Sequence, residues 1–100
     1  MRFEWDEKKR KDNIRKHGLD FVDAWKIFTN PVRRNLDDRE DYGEDRWIGI
    51  GMLDARIIVV VFTEREDDDE EVIRIISLRK ALTHECTQYE QALRDRLGAG

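Results

Sequence analysis

Arg65, Arg79 and Lys80 stand where strands are predicted to end, beside Thr63, Glu64 and Ser77. Polar groups clustered at strand ends can meet a ligand, and a guanidinium there suits an anion with two oxygens to offer. Arg74 lies inside the otherwise apolar run 72–78, so its charge must reach solvent, a carboxylate or a ligand phosphate. An ion pair with Glu64 is the structural alternative. Other chemistries lack support: there is no glycine-rich phosphate loop, no GxSxG nucleophile and no His/Cys metal spacing. His17 and His84 are too far apart in sequence to form a local metal pair. Neither a metal nor a cofactor is expected.

The elements that position these groups follow from periodicity and turn chemistry. Phe3 and Trp5 flank Glu4 in a brief alternation, which predicts a short first strand. Asp6 can cap a helix over residues 7–17, ended by Gly18, the residue best suited to a left-handed cap. That helix is very polar. Ile14 is its one large aliphatic residue, and Lys8, Lys9, Arg10, Lys11, Arg15 and Lys16 cover much of its circumference, as on a solvated helix. Asp20 reads as the next cap, before a stripe of Phe21, Ala24, Trp25 and Phe28 that should pack on a sheet. Pro31 ends this second helix. Residues 35–45 are acidic and aperiodic and read as a solvated loop, with an extended stretch near 32–36.

A three-stranded antiparallel meander is predicted next: 47–52, 57–64 and 72–78, the first turn at residues 53–56. Six successive carboxylates, Glu66 to Glu71, suit an exposed turn between the last two strands rather than a calcium loop. Alternation puts Ile73, Ile75, Ser77 and Arg79 on one face, with Val72, Arg74, Ile76 and Leu78 on the other. A last helix is expected from Arg79 to about Leu97, its inner stripe including Ala81, Leu82, Glu85, Tyr89, Ala92 and Leu93. The fold class is therefore α+β, as one domain over residues 1–100.

Composition bounds the function. Of 100 residues 42% are charged, no apolar run approaches the ~20 residues of a membrane span, and the first residues lack a signal peptide's apolar core. The single Cys86 allows no internal disulfide, and a cytoplasmic location is expected. The net charge of −4 is unevenly spread. Residues 1–34 hold ten Lys/Arg against six Asp/Glu, residues 35–71 four against fourteen, and residues 72–100 five against three. Local positive potential, not a basic total, is what nucleic acid requires.

Several blocks resemble the BrnT toxins. They are the opening Phe3-Glu4-Trp5-Asp6-Glu7, Asn13, Lys16-His17-Gly18-Leu19-Asp20-Phe21 and Arg46-Trp47-Ile48-Gly49-Ile50-Gly51. Val60-Val61-Phe62-Thr63-Glu64-Arg65 and the run from Ile73 through Ser77-Leu78-Arg79-Lys80-Ala81 follow, then Glu85 and Tyr89. The resemblance runs in order over roughly residues 3–90. It implies a fold similar to the RelE-type ribonuclease toxins and a BrnA-like antitoxin of the ribbon-helix-helix type. It also implies repression of the operon by the complex, with operator DNA touched only through the antitoxin, and RNA cleavage and growth arrest by the free toxin.

Metal-independent RNA cleavage needs a base for the 2′-hydroxyl, charge on the phosphate and an acid for the leaving 5′-oxygen. Arg65 and Arg79 are the expected phosphate contacts, supported by Arg74 and Lys80, with Glu64 as base or orienter. His17 and Tyr89 could serve in acid–base or base-stacking roles. Each has a structural alternative: Glu64 neutralising an arginine, Tyr89 in the core, His17 stabilising a helix end. The competing reading is a catalytically degenerate module that only holds its antitoxin. The net negative charge and the absence of a strong acid–base pair favour it.

Overall fold

The computed structural model describes residues 1–30 and 32–98. Its elements are β1 (Arg2–Trp5), α1 (Glu7–His17), a 3-10 turn (Phe21–Asp23), α2 (Trp25–Phe28), β2 (Arg33–Leu36), β3 (Trp47–Leu53), β4 (Arg56–Asp67), β5 (Glu70–Lys80) and α3 (Thr83–Gly98). The class is α+β, built on a five-stranded mixed sheet ordered β1-β5-β4-β3-β2. β1 runs parallel to β5, and the other pairs are antiparallel. The meander thus carries a strand on each side, one more than the four expected, because the extended stretch near residues 32–36 pairs with β3.

Both meander hairpins are tighter than the sequence suggests. Asp54, with φ of 55°, turns β3 into β4. Asp68 and Asp69, with φ of 52° and 65°, form the whole of the second turn. The carboxylate run is therefore not a loose loop: Glu66 pairs with Glu71 and Asp67 with Glu70 in the ladder itself. Aspartate takes the left-handed region more readily than most residues, which is why two can make this turn.

One irregularity decides which side chains share a face. Val61 pairs with Ser77 but Phe62 pairs with Ile75, so Ile76 is an extra residue in β5. A bulge of this kind shifts alternation by one. Ile73 and Ile75 point into the core before it, and Leu78 does so after it. Arg79 consequently shares a face with Arg74, not with Ile73. The strict alternation predicted from the sequence fails at this residue.

The core face carries Ile58, Val60 and Phe62 of β4 with Ile73, Ile75 and Leu78 of β5, all fully buried. Phe21, Ala24 and Ile27 of the 3-10 turn and α2 cover them. The single predicted second helix is in fact these two short pieces, and Ile27 takes the buried position expected of Trp25, which is half exposed. Gly51 makes this packing possible, since a Cβ there would lie 2.7 Å from Ile27 Cγ2. Phe28 adds an edge contact to Phe62 at 5.0 Å between centroids. On the second face Val59 and Tyr89 are buried, and α3 crosses the β2–β3 side, where Tyr89 meets Ile48 and Ile50 around one cavity.

α1 is fastened by a polar tie. Asp6 caps its start by accepting from Lys8 N at 3.1 Å, and Gly18, with φ of 67°, ends it. Ile14 remains partly exposed, and the buried residue is Asn13. Its amide nitrogen donates to Leu19 O at 2.9 Å, and its oxygen accepts from Leu78 N at 3.0 Å. β1 pairs with β5 only as far as Ile75, so Asn13 serves the edge of β5 that β1 leaves open.

Candidate functional site

β5 ends at Lys80 and α3 begins at Thr83, so Arg79 and Lys80 close a strand rather than open the last helix. There they meet the end of α1. Lys16, His17, Arg79, Lys80 and Leu82 line one cleft of about 390 Å³. Three residues picked out in the sequence, His17, Arg79 and Lys80, therefore share one concave site. Lys16 and His17 also line a second cleft, of about 240 Å³, together with Lys9, Asp12, Asn13, Ile76 and Ser77.

Arg79 is aimed by a fork. Its Nη1 and Nη2 donate to Glu85 Oε1 and Oε2 at 2.8 and 2.9 Å. The Arg79 guanidinium, with help from the Leu82 N–H, holds the Glu85 carboxyl down at about 2 although burial opposes this. Among the described residues, Lys9, Lys16, His17 and Lys80 form no ion pair.

Arg65 and Arg74 stand on the same face as Arg79, farther along the β4–β5 pair. Arg65 pairs in register with Val72, Arg74 with Thr63 and Arg79 with Val59. Six residues of β4 separate the Arg65 and Arg79 positions, about 20 Å of strand. These two backbones are too far apart for one phosphate to be the natural meeting point. Each guanidinium also has a carboxylate: Arg65 pairs with Glu4 of β1 and draws its carboxyl below the usual range. Arg74 donates to Glu44 Oε1 at 2.8 Å, so its partner is Glu44 and not Glu64.

Glu64 is elsewhere. It pairs in register with the core residue Ile73, so it stands on the face opposite Arg65. Its carboxylate meets Arg34, whose guanidinium stacks on Trp47 at 4.5 Å from the ring centroid. Tyr89 is buried beneath α3, beside Arg33, Ala92 and Leu93, and burial pushes its hydroxyl pKa up. The sequence-predicted residues thus divide among the cleft, the arginine row beside it, the rim of the core face and the underside of α3.

Sequence reasoning missed a second layer. Asp37, read as part of a solvated loop, is buried, and it accepts from Arg39 Nε at 2.8 Å, Arg39 Nη2 at 2.9 Å and Tyr42 Oη at 3.1 Å. The Arg39 guanidinium beside it holds this carboxyl at about 2. Asp37 N also donates to Arg46 O at 2.7 Å, and Arg46 stacks on the Tyr42 ring. The segment between β2 and β3 is thus a folded strap that brings Glu44 to Arg74. Nothing in its composition distinguishes Asp37 from the exposed acids around it. Glu85 did carry a signal, as a polar residue on the expected inner stripe of the last helix, whereas Asn13 was marked only by the family resemblance.

A cleft lined by two lysines, an arginine and a histidine suits a polyanion. A family model described as the ribonuclease toxin BrnT of type II toxin–antitoxin systems matches residues 5–85. The chain belongs to the BrnT family. Membership implies an RNA substrate and an antitoxin partner. No curated protein matches the chain. Among the described residues no helix is long and apolar enough to cross a membrane, and no three His, Cys, Asp or Glu side chains converge as a metal site.

Proposed function

We propose that this BrnT toxin is a metal-independent endoribonuclease acting in the cytoplasm, with its reacting centre in the cleft between α1 and the end of β5. The observation that carries the reading is the convergence of His17, Arg79 and Lys80, from segments about sixty residues apart, around one concave site. Cleavage forms a bond from the 2′-oxygen to phosphorus and breaks the bond to the 5′-oxygen. The 2′-hydroxyl loses a proton and the 5′-oxygen gains one. An imidazole can do either transfer, and Arg79 and Lys80, which line the same cleft from opposite faces of β5, can supply positive charge to the negative oxygens. Arg65 and Arg74 extend the same charged face toward flanking phosphates. Glu64 takes the part of holding Arg34, and Tyr89 that of seating α3. The free toxin arrests growth. A BrnA-like ribbon-helix-helix antitoxin neutralises it and supplies the DNA contacts through which the pair represses its operon.

One observation favours the non-catalytic alternative: Arg65, Arg74 and Arg79 are each matched by a carboxylate of the chain. Purified, antitoxin-free protein incubated with total RNA in EDTA separates the two. Degradation by the wild type and its loss in Arg79→Ala/Lys80→Ala supports the nuclease. Intact RNA from folded protein, with ribosomes also supplied, rejects it in favour of a module that only binds antitoxin.

A further inference from the structure

The second cleft continues the first along α1, and its lining follows one helical face. Lys9, Asp12, Asn13, Lys16 and His17 are spaced by three and four residues, so they form a single stripe on α1. The opposite wall is Ile76 and Ser77 of β5. This wall exists because β1 stops pairing at Ile75 and the bulge at Ile76 turns the strand, while Asn13 holds the helix against the gap. The groove is therefore a product of rigid, hydrogen-bonded elements.

Its charge differs in kind from that of the arginine row. Arg65, Arg74 and Arg79 must exchange a carboxylate for a phosphate, and the gain from one anion replacing another is small. Lys9 and Lys16 are exposed and make no ion pair among the described residues, so a phosphate placed on them displaces only water and counterions. Asp12, the one carboxylate on the wall, is occupied by Arg15 at 2.7 Å. The remaining α1 cations point elsewhere: Arg10 is tied to Asp20 and Glu7, and Lys8 and Lys11 do not line the groove.

We infer that the groove between α1 and the 76–77 edge of β5 is the track for the RNA strand flanking the cleaved phosphate, with Lys16 and Lys9 each holding one phosphate. Lys9 and Lys16 are seven residues apart, about 10 Å along the helix, a distance that a single unstacked strand bridges easily. Apart from His17, which also lines the reacting cleft, the groove lining holds no aromatic side chain for base stacking, so recognition along it is of the backbone rather than of sequence. The inference rests on the ribonuclease reading but concerns binding, which can be measured apart from cleavage.

The probe is a short single-stranded RNA carrying 2′-O-methyl groups, which lacks the attacking hydroxyl. Lys9→Gln/Lys16→Gln should raise its Kd about tenfold near 0.1 M salt, and lower the slope of log K against log salt by about 1.4, from two lost phosphate contacts. Lys8→Gln/Lys11→Gln makes the same change of net charge off the groove and should leave both quantities unchanged. Equal weakening by the two pairs would overturn the track in favour of diffuse attraction. Unchanged RNA binding by Lys9→Gln/Lys16→Gln, together with weakened antitoxin binding, would overturn it in favour of an antitoxin surface. Failure of the nuclease reading shows differently: wild-type protein binds the probe with this pattern yet leaves unmodified RNA intact.

Discussion

Arg79 of β5 grips Glu85 of α3 through two parallel bonds of 2.8 and 2.9 Å, and Glu85 Oε1 also accepts from Leu82 N at 2.8 Å. Glu85 thereby acts as the carboxylate half of a capping box, satisfying a donor three residues before it at the helix start. The same carboxylate fixes the direction of a guanidinium in the candidate reacting centre. Seating of the last helix and aim of the cationic cleft are one interaction.

That coupling has a pH signature. Glu85 is held at about 2 by Arg79, below the ordinary carboxylate value, so it stabilises the fold fully above pH ~4.5 and loses this as pH falls toward about 2. Arg79 is partly exposed, so the contribution is discounted to roughly 1–2 kcal/mol. In urea titrations from pH 7 to 2, Glu85→Gln should start lower than wild type and converge on it in acid. A constant gap across that range would show that Glu85 contributes nothing through its charge.

Arg65 and Arg79 call for different variants. Arg65 and Glu4 are an exposed pair worth at most ~1 kcal/mol, so Arg65→Ala should keep its Tm within a few degrees. Arg79→Ala leaves the mostly buried Glu85 without its partner and should cost several degrees. Growth arrest should weaken in Arg65→Ala and be abolished in Arg79→Ala/Glu85→Ala, which removes the orphaned charge. Full toxicity in that double variant, at wild-type expression, would remove Arg79 from the mechanism.

Glu44 reaches Arg74 from the strap between β2 and β3, occupying a guanidinium that faces the arginine row. Glu44→Gln weakens that grip without shortening the side chain. RNA affinity should rise by about two- to fivefold, an effect that shrinks as salt screens the surface. If affinity is unchanged while Arg74→Ala also has no effect, Arg74 is a fold residue only.

What the sequence disclosed was whatever obeyed a local rule. The Asp6 cap, the Gly18 stop, the meander and the apolar core of β4 and β5 all follow from propensity and spacing. What it concealed depended on contacts distant in sequence. The bulge at Ile76 is invisible in a run of β-branched residues, yet it moves Arg79 to the face of Arg74. Glu64 and Arg65 are adjacent in sequence and were grouped as one site, although neighbours in a strand point to opposite faces. Asp37 was indistinguishable from its exposed neighbours because its burial is made by Arg39 and Tyr42, not by its own chemistry.

Asn13 offers the sharpest test of whether groove geometry, rather than charge, matters. Its buried amide bridges Leu19 O and Leu78 N, and Asn13→Ala leaves a carbonyl and an N–H unsatisfied. Two such groups cost about 2–4 kcal/mol. For a domain of this size that lowers Tm by roughly 10 °C or more. Lys9, Lys16 and His17 all remain in the variant, so diffuse attraction would be untouched. At a temperature where the variant is still folded, affinity for the 2′-O-methyl RNA should nevertheless drop severalfold, because α1 no longer lies fixed against β5. Wild-type affinity in a clearly destabilised Asn13→Ala would mean that the lysines act by charge alone, without the wall opposite them.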